Sequence, residues 1–328
     1  MSFDVLLNDD AQQNIAAAAK KTGSPMRGLL SEEFTSMFNH VTSQIASVST
    51  GTKMAVVGHQ EIGKTHFCTT MPRPITIIVT DMRFMMILQT QFYRTLAKPS
   101  LYSDQKFEKW LEDKEIYIYN AMILNKETNR PDYVESVKQF EVALKIVAKH
   151  VNKGTFIVDN TSDMRLWLNA LVDEEAQFHN PTTGMPYRFQ WGSANKIVRG
   201  MTETFRAKKM HFCLTAHTKP MWDKKGKEIA NQTDVDWNRT TDGDLDLIME
   251  GRKIYTSEPM AKARGAALVR SDKDKIGPYM RSWFVRKSTR WPEYAQLCGT
   301  NGYLYDMTFQ TLREDIISKV GFDIGDIR

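Results

Sequence analysis

The chain reads as an α/β protein, with a mostly parallel twisted sheet flanked by helices and a helical extension ahead of it. Three observations predict this. Gly58-His-Gln-Glu-Ile-Gly63-Lys64-Thr65 spells G-x-x-x-x-G-K-T directly after the apolar run Met54 to Val57, which is the P-loop pattern between a strand and a helix. Ile75-Thr-Ile-Ile-Val-Thr80 and Thr155-Phe-Ile-Val-Asp159 are short, β-rich and nearly all apolar, and each meets an acid, Asp81 or Asp159, at its end. Strands buried on both faces read this way. Between them lie amphipathic stretches, the best formed being 132–150 with Val134, Val137, Phe140, Leu144 and Val147 on one side.

Taken in order, residues 1–50 read as helices. Asp9-Asp10 precede an Ala-rich segment through Lys21, Gly23-Ser-Pro25 breaks it, and Ser31-Glu-Glu-Phe opens a second helix. Helices ahead of the P-loop strand cannot join the sheet, so this extension is assigned to capping or to oligomerisation. The core spans 51–292, with strands predicted at 54–57, 75–80, 116–119, 155–159 and 210–216. Helical segments are predicted over 82–112, interrupted near Lys98-Pro99-Ser100, and over 164–209, interrupted at Asn180 to Pro186. Residues 218–243 are polar, carry Lys219, Lys224, Lys225, Lys227 and Arg239 interleaved with Trp222 and Trp237, and read as a loop. Asp244 to Met249, Arg252 to Tyr255 and Arg281 to Val285 are candidate closing strands, and the C-terminal segment 293–328 carries a helix over 308–319.

A chain of 328 residues can bury one large core. Its net charge of +5 permits a polyanionic partner without requiring one. The cysteines, Cys68, Cys213 and Cys298, are far apart and show no metal-ligand spacing. That argues for a reducing compartment and against a disulfide framework. No apolar run approaches the length of a membrane span, and the N-terminus, with Asp4, Asn8, Asp9 and Asp10, lacks the shape of a signal peptide. A cytoplasmic location without membrane association is expected, in a host cell if the protein is viral.

The P-loop supplies the chemistry. Its glycines let the backbone curl around phosphates, successive amides form an anion nest, Lys64 brings a mobile charge and Thr65 offers a hydroxyl to Mg²⁺. The helix after Gly63 is expected to aim its positive end at the same phosphates. The candidate nucleotide site is therefore Gly58, His59, Gln60, Glu61, Ile62, Gly63, Lys64, Thr65 and His66. ATP with Mg²⁺ is the ligand this pattern fits. Asp159 pairs with Thr65 as the candidate metal carboxylate. Hydrolysis also needs a group to orient the attacking water, for which Glu61 and Asp81 compete. Asp81 is preferred because a strand end is a fixed position; its other reading is a cap for the following helix. His217, at the end of the 210–216 strand, can hydrogen-bond a γ-phosphate and pass its presence on, or can be a satisfied, partly buried histidine. The basic stretch after it suits single-stranded nucleic acid, lysines tracking phosphates and rings stacking on bases. Its plain alternative is a solvated loop with two buried Trp anchors.

The order of these motifs, with Thr155-Phe-Ile-Val-Asp-Asn-Thr-Ser, Phe189-Gln-Trp-Gly192 and Leu214-Thr-Ala-His-Thr-Lys, resembles the phage RecA-like ATPases that act as short recombinases or single-strand annealing proteins. The resemblance covers about residues 52–291. It implies a RecA-like fold, with Lys64 as the phosphate lysine, Thr65 the magnesium hydroxyl, Asp159 the second acid and His217 the γ-phosphate sensor. It also implies a catalytic glutamate where this chain has Asp81, and a shorter acid leaves the water farther away. The family carries a Lys-x-Arg pair on a late strand that reaches a neighbour's nucleotide. Here Lys287 and Arg290 are the candidates, with one residue too many between them, so that a strand without a bulge would send them to opposite faces.

The reading that follows is an ATPase, stimulated by single-stranded DNA, working in recombination, repair or replication as a homo-oligomeric ring or filament. The alternatives are a nucleotide or small-molecule kinase, for which Arg264 to Lys275 is the nearest thing to a lid, and a non-hydrolysing ATP-binding assembly protein. The segment 164–200, with Trp167, Phe178 and Tyr187, carries no assigned role.

Overall fold

A computed structural model of the chain describes residues 51–206, 208–223, 227–237, 239–270, 277–298 and 303–325. The N-terminal extension over 1–50, Lys224 and Lys225 of the basic stretch, and the part of the candidate lid beyond Arg270 lie outside the described residues.

The β1 strand (Lys53–Gly58) is buried along its whole length because side chains on both of its faces are apolar. It lies between β5 (His211–Ala216) and β8 (Leu247–Tyr255), parallel to both. Beyond β5 come β4 (Thr155–Asp159), β2 (Ile75–Val79) and β3 (Ile116–Asn120), all parallel. Beyond β8 the direction reverses: β10 (Tyr279–Ser288) runs antiparallel, flanked by the short β9 (Leu268–Val269) and β11 (Leu304–Tyr305). The order is therefore β11-β10-β8-β1-β5-β4-β2-β3 with β9 on β10, the mostly parallel sheet that the sequence predicts.

Alternation on the strands explains the layers. Ala55, Val57, Phe156, Val158, Phe212 and Leu214 face one core, which is closed by α4 (Tyr133–His150), α5 (Thr161–Glu175) and α6 (Gly192–Arg206). Met54, Val56, Ile77, Ile157 and Cys213 face the other. That second core is closed by α1 (Lys64–Thr69), α2 (Arg83–Tyr93) and α3 (Asp104–Asp113), with α7 (Pro292–Cys298) and α8 (Phe309–Val320). Tyr294, Phe309, Leu312 and Ile316 are buried in this same core, so the described part of the C-terminal segment packs directly on the sheet. Trp167 is core, whereas Phe178 and Tyr187 are exposed.

Two expectations need correcting. Residues 218–243 are not simply a loop: β6 (Thr218–Trp222) and β7 (Glu228–Val235) form a two-stranded antiparallel hairpin. The predicted strands on either side of Gly251 are one continuous strand, β8. Glycine is required there by close packing, since a Cβ would lie 2.6 Å from Ile62 Cγ1 and 2.9 Å from Trp283 Cζ3.

Candidate nucleotide-binding site

Parallel strands send their carboxyl ends to one edge, so residues distant in sequence meet there. Val79 pairs with Asp159, Val158 with Leu214, Val57 with Ala216 and Gly58 with Gly251. The P-loop, Asp81, Asp159 and His217 consequently line one cleft of about 610 Å³.

The loop is shaped by its glycines. Gly58 has φ 148° and Gly63, which precedes α1, has φ 94°. A Cβ on Gly58 would stand 2.6 Å from the carbonyl oxygen of Gly251, so both conformation and space demand glycine. Because α1 has only six residues, its summed dipole is small and the positive field at the loop comes mainly from amides and Lys64.

Lys64 is buried, and its Nζ donates to the carbonyls of Gly58 and His59, each at 2.8 Å. Burial lowers its pKa to about 8, with Asp159 pulling the other way. The same Nζ lies 3.3 Å from His217 Nδ1. Burial, followed by the charge of Lys64, holds His217 down to about 4, so the ring is neutral at neutral pH. Its backbone amide donates to Ser162 Oγ at 2.8 Å, which ties the start of the hairpin to α5.

Asp159 is buried between two hydroxyls: Thr65 Oγ1 donates to Oδ2 at 3.0 Å and Thr215 Oγ1 donates to Oδ1. Burial raises its pKa to about 6 against the pull of the Thr215 hydrogen bond. A hydroxyl and a carboxylate are the hard oxygen donors that magnesium prefers. Among the described residues no group of three or more His, Cys, Asp or Glu side chains could hold a metal. A cation here would therefore be completed by phosphate oxygens and water.

Asp81 has both oxygens engaged. Oδ1 accepts the backbone N–H of Arg83 at 2.8 Å, while Oδ2 accepts from Asn160 Nδ2 at 3.1 Å and lies 3.5 Å from Arg83 Nε. The cap position of α2 belongs to Met82, so Asp81 shapes the turn before the helix. Asn160 Nδ2 also donates to Asp163 at 2.8 Å, and Asn160 Oδ1 caps α5 by accepting from Asp163 N at 2.8 Å. Glu61, at φ 67°, directs its carboxylate to Lys253 Nζ at 3.2 Å.

Lys287 and Arg290 are not brought to this cleft. β10 runs antiparallel, so its end, where Ser288 pairs with Leu247, lies at the opposite edge of the sheet. Arg290 pairs with Asp246 at 3.7 Å and sits over the rings of Trp291 and Phe322. A register shift falls between Val285 and Lys287, ahead of both residues. In the hairpin, Trp222 is 59% exposed and Met221 42%, while Trp237 is buried; Lys219 pairs with Asp236 at 3.2 Å.

Asn160, Ser162, Thr215 and Arg281 join the site in the structure without being candidates in the sequence. Asn160-Thr-Ser after an acidic strand end is a helix-start pattern that could have revealed the first two. Arg281 enters the cleft only through the reversed direction of β10, which no local pattern announces.

No family model matches the chain, and no curated protein matches it in sequence. Among solved structures it is similar to a KaiC-like protein from the archaeon Pyrococcus horikoshii, at 10% identity over 73% of this chain and 80% of that one, TM-score 0.37. It is also similar to the RadB recombinase, at 11% identity over 75% and 86%, TM-score 0.39. A third is the flagellar accessory protein FlaH from Methanocaldococcus jannaschii, at 9% identity over 80% and 92%, TM-score 0.35.

Proposed function

We propose that the chain is a RecA-like P-loop ATPase that binds ATP with Mg²⁺ and couples hydrolysis to single-stranded DNA handling as a homo-oligomer. The work would be recombination, repair or replication of the kind done by the phage proteins it resembles. The observation that carries the nucleotide reading is the meeting of Lys64, Thr65 and Asp159 in an open cleft at the carboxyl edge of the sheet. The loop amides and Lys64 hold the phosphates, and Thr65 with Asp159 holds the cation. Asp81, fixed by Asn160, orients the attacking water from the end of β2. The neutral ring of His217 is placed to exchange its contact with Lys64 for one with the γ-phosphate and so to pull on β6. The exposed Trp222 on the hairpin supports the DNA part, offering a ring for base stacking beside Lys219 and Lys227.

The test is the ATPase rate with and without single-stranded DNA, with a mass measurement in each state. Stimulation together with assembly is expected; a rate indifferent to DNA removes the coupling, and phosphate transfer to a nucleoside monophosphate selects the kinase. A second reading, ATP held as a structural ligand, is favoured by the engagement of both Asp81 oxygens. Tight binding with background turnover would select it.

A further inference from the structure

Most arginines around this sheet edge have acidic partners. Arg83 meets Asp81 at 3.5 Å, and Arg252 and Arg286 meet the buried Glu250 at 3.1 and 2.7 Å. Arg281 differs. Among the described residues no hydrogen bond or ion pair engages its guanidinium, and its Nε is buried without a partner. It pairs in register with Lys253, two residues beyond Gly251, which places it at the P-loop edge of the sheet. A Cβ on Gly63 would lie 3.5 Å from Arg281 Cδ, 3.7 Å from Nε and 3.8 Å from Nη1. The guanidinium therefore lies against the closing glycine of the loop, in the same cleft as Lys64, Thr65 and His66.

A guanidinium does not shed its proton in a protein, and a buried N–H without an acceptor is costly, so this group calls for an anion. The acids of the cleft are already engaged: Asp81 by Arg83 and Asn160, Asp159 by Thr65 and Thr215, Glu61 by Lys253. The nearby Asp306 accepts from the backbone N–H of Ala267 at 2.7 Å. The charge of Arg281 is felt on α1, where it helps burial to lower the pKa of His66.

We propose that Arg281 is a phosphate ligand supplied in cis, gripping the α- and β-phosphates of the chain's own nucleoside triphosphate at the Gly63 end of the loop while Lys64 serves the Gly58 end. This rests on the nucleotide-site reading above. In hydrolysis the water oxygen bonds to the γ-phosphorus, the bond to the β–γ bridging oxygen breaks with its electron pair left on the diphosphate, and the water's proton passes to solvent. Arg281 meets the charge that gathers on the departing diphosphate, with two N–H groups presented in a fixed fork. At this position the subunit needs nothing from a neighbour.

The test uses the full chain with Arg281→Gln and Arg281→Lys, checked for folding by circular dichroism and melting temperature. Calorimetry should show Arg281→Gln weakening both MgADP and MgATP by about tenfold or more. Its kcat should fall by about 100-fold, with Arg281→Lys recovering part of each loss. Mixing Arg281→Gln with Lys64→Ala subunits should restore no activity, since the missing guanidinium belongs to the subunit with the intact loop. Restored activity in the mixture would show action in trans and overturn the proposal. Wild-type binding with an unaffected Arg281→Gln overturns this proposal alone, whereas a wild-type chain that binds neither nucleotide overturns the nucleotide-site reading and this proposal with it.

Discussion

Lys64 and Asp159 are pushed by burial toward their neutral forms from opposite sides, Lys64 down to about 8 and Asp159 up to about 6. On the proposed reading each is needed charged, the first for phosphate and the second for the cation. As pH falls through about 6, Asp159 takes up a proton, and the hold on magnesium proposed for it is expected to weaken. As pH rises through about 8, Lys64 of the free protein loses its proton, and binding a triphosphate must then restore it. Affinity for MgATP is predicted to peak between these two values and to fall on both sides. Calorimetric titrations below, between and above them check this, and an affinity flat across the whole range would contradict it. His217, held neutral by burial and by Lys64, contributes no charge change in that window.

At the scale of elements, the hairpin is where sequence and structure part most clearly. The buried strands β1, β2, β4 and β5 were legible because both of their faces are apolar and their ends are marked by Gly58, Asp81, Asp159 and His217. The hairpin has no such mark: Pro220 interrupts it, and Met221 and Trp222 face outward, so no apolar alternation betrays a strand. Gly251 falls in the gap between the strands predicted at 244–249 and 252–255, yet it lies inside one strand, where close approach by Ile62 and Trp283 requires a glycine. The core of the site was legible as a local motif in Lys64 and Thr65 and as a strand end in Asp159. Arg281 was not, because its place depends on how an antiparallel strand lies against β8. Trp222→Ala is predicted to weaken single-stranded DNA binding by about 1–3 kcal/mol. Its melting temperature should be that of the wild type, since the ring is mostly exposed. Binding followed by fluorescence anisotropy at two salt concentrations checks it, and unchanged affinity would take the hairpin out of the DNA path.

For the whole molecule, the parallel sheet separates two edges. The carboxyl edge holds the P-loop cleft, and the amino edge holds Arg290 against Asp246 with Lys287 close by in sequence. A role in trans for Lys287 or Arg290 therefore requires assembly to set the amino edge of one subunit against the cleft of the next. On that arrangement Lys287→Ala and Arg290→Ala lower DNA-stimulated turnover while leaving MgADP affinity intact; rates equal to wild type would remove the trans role. Arg290→Ala also releases Asp246, which accepts the Lys53 amide at 2.8 Å, so its melting temperature must be followed alongside.

The proposed grip of the loop on a triphosphate is tested most directly by titrating MgATP into the wild-type chain and into Lys64→Ala. Saturable heat is predicted for the wild type and its loss in the variant, which lacks the ammonium that Lys64 holds at the loop. Equal binding by both, or binding by neither, would contradict the account.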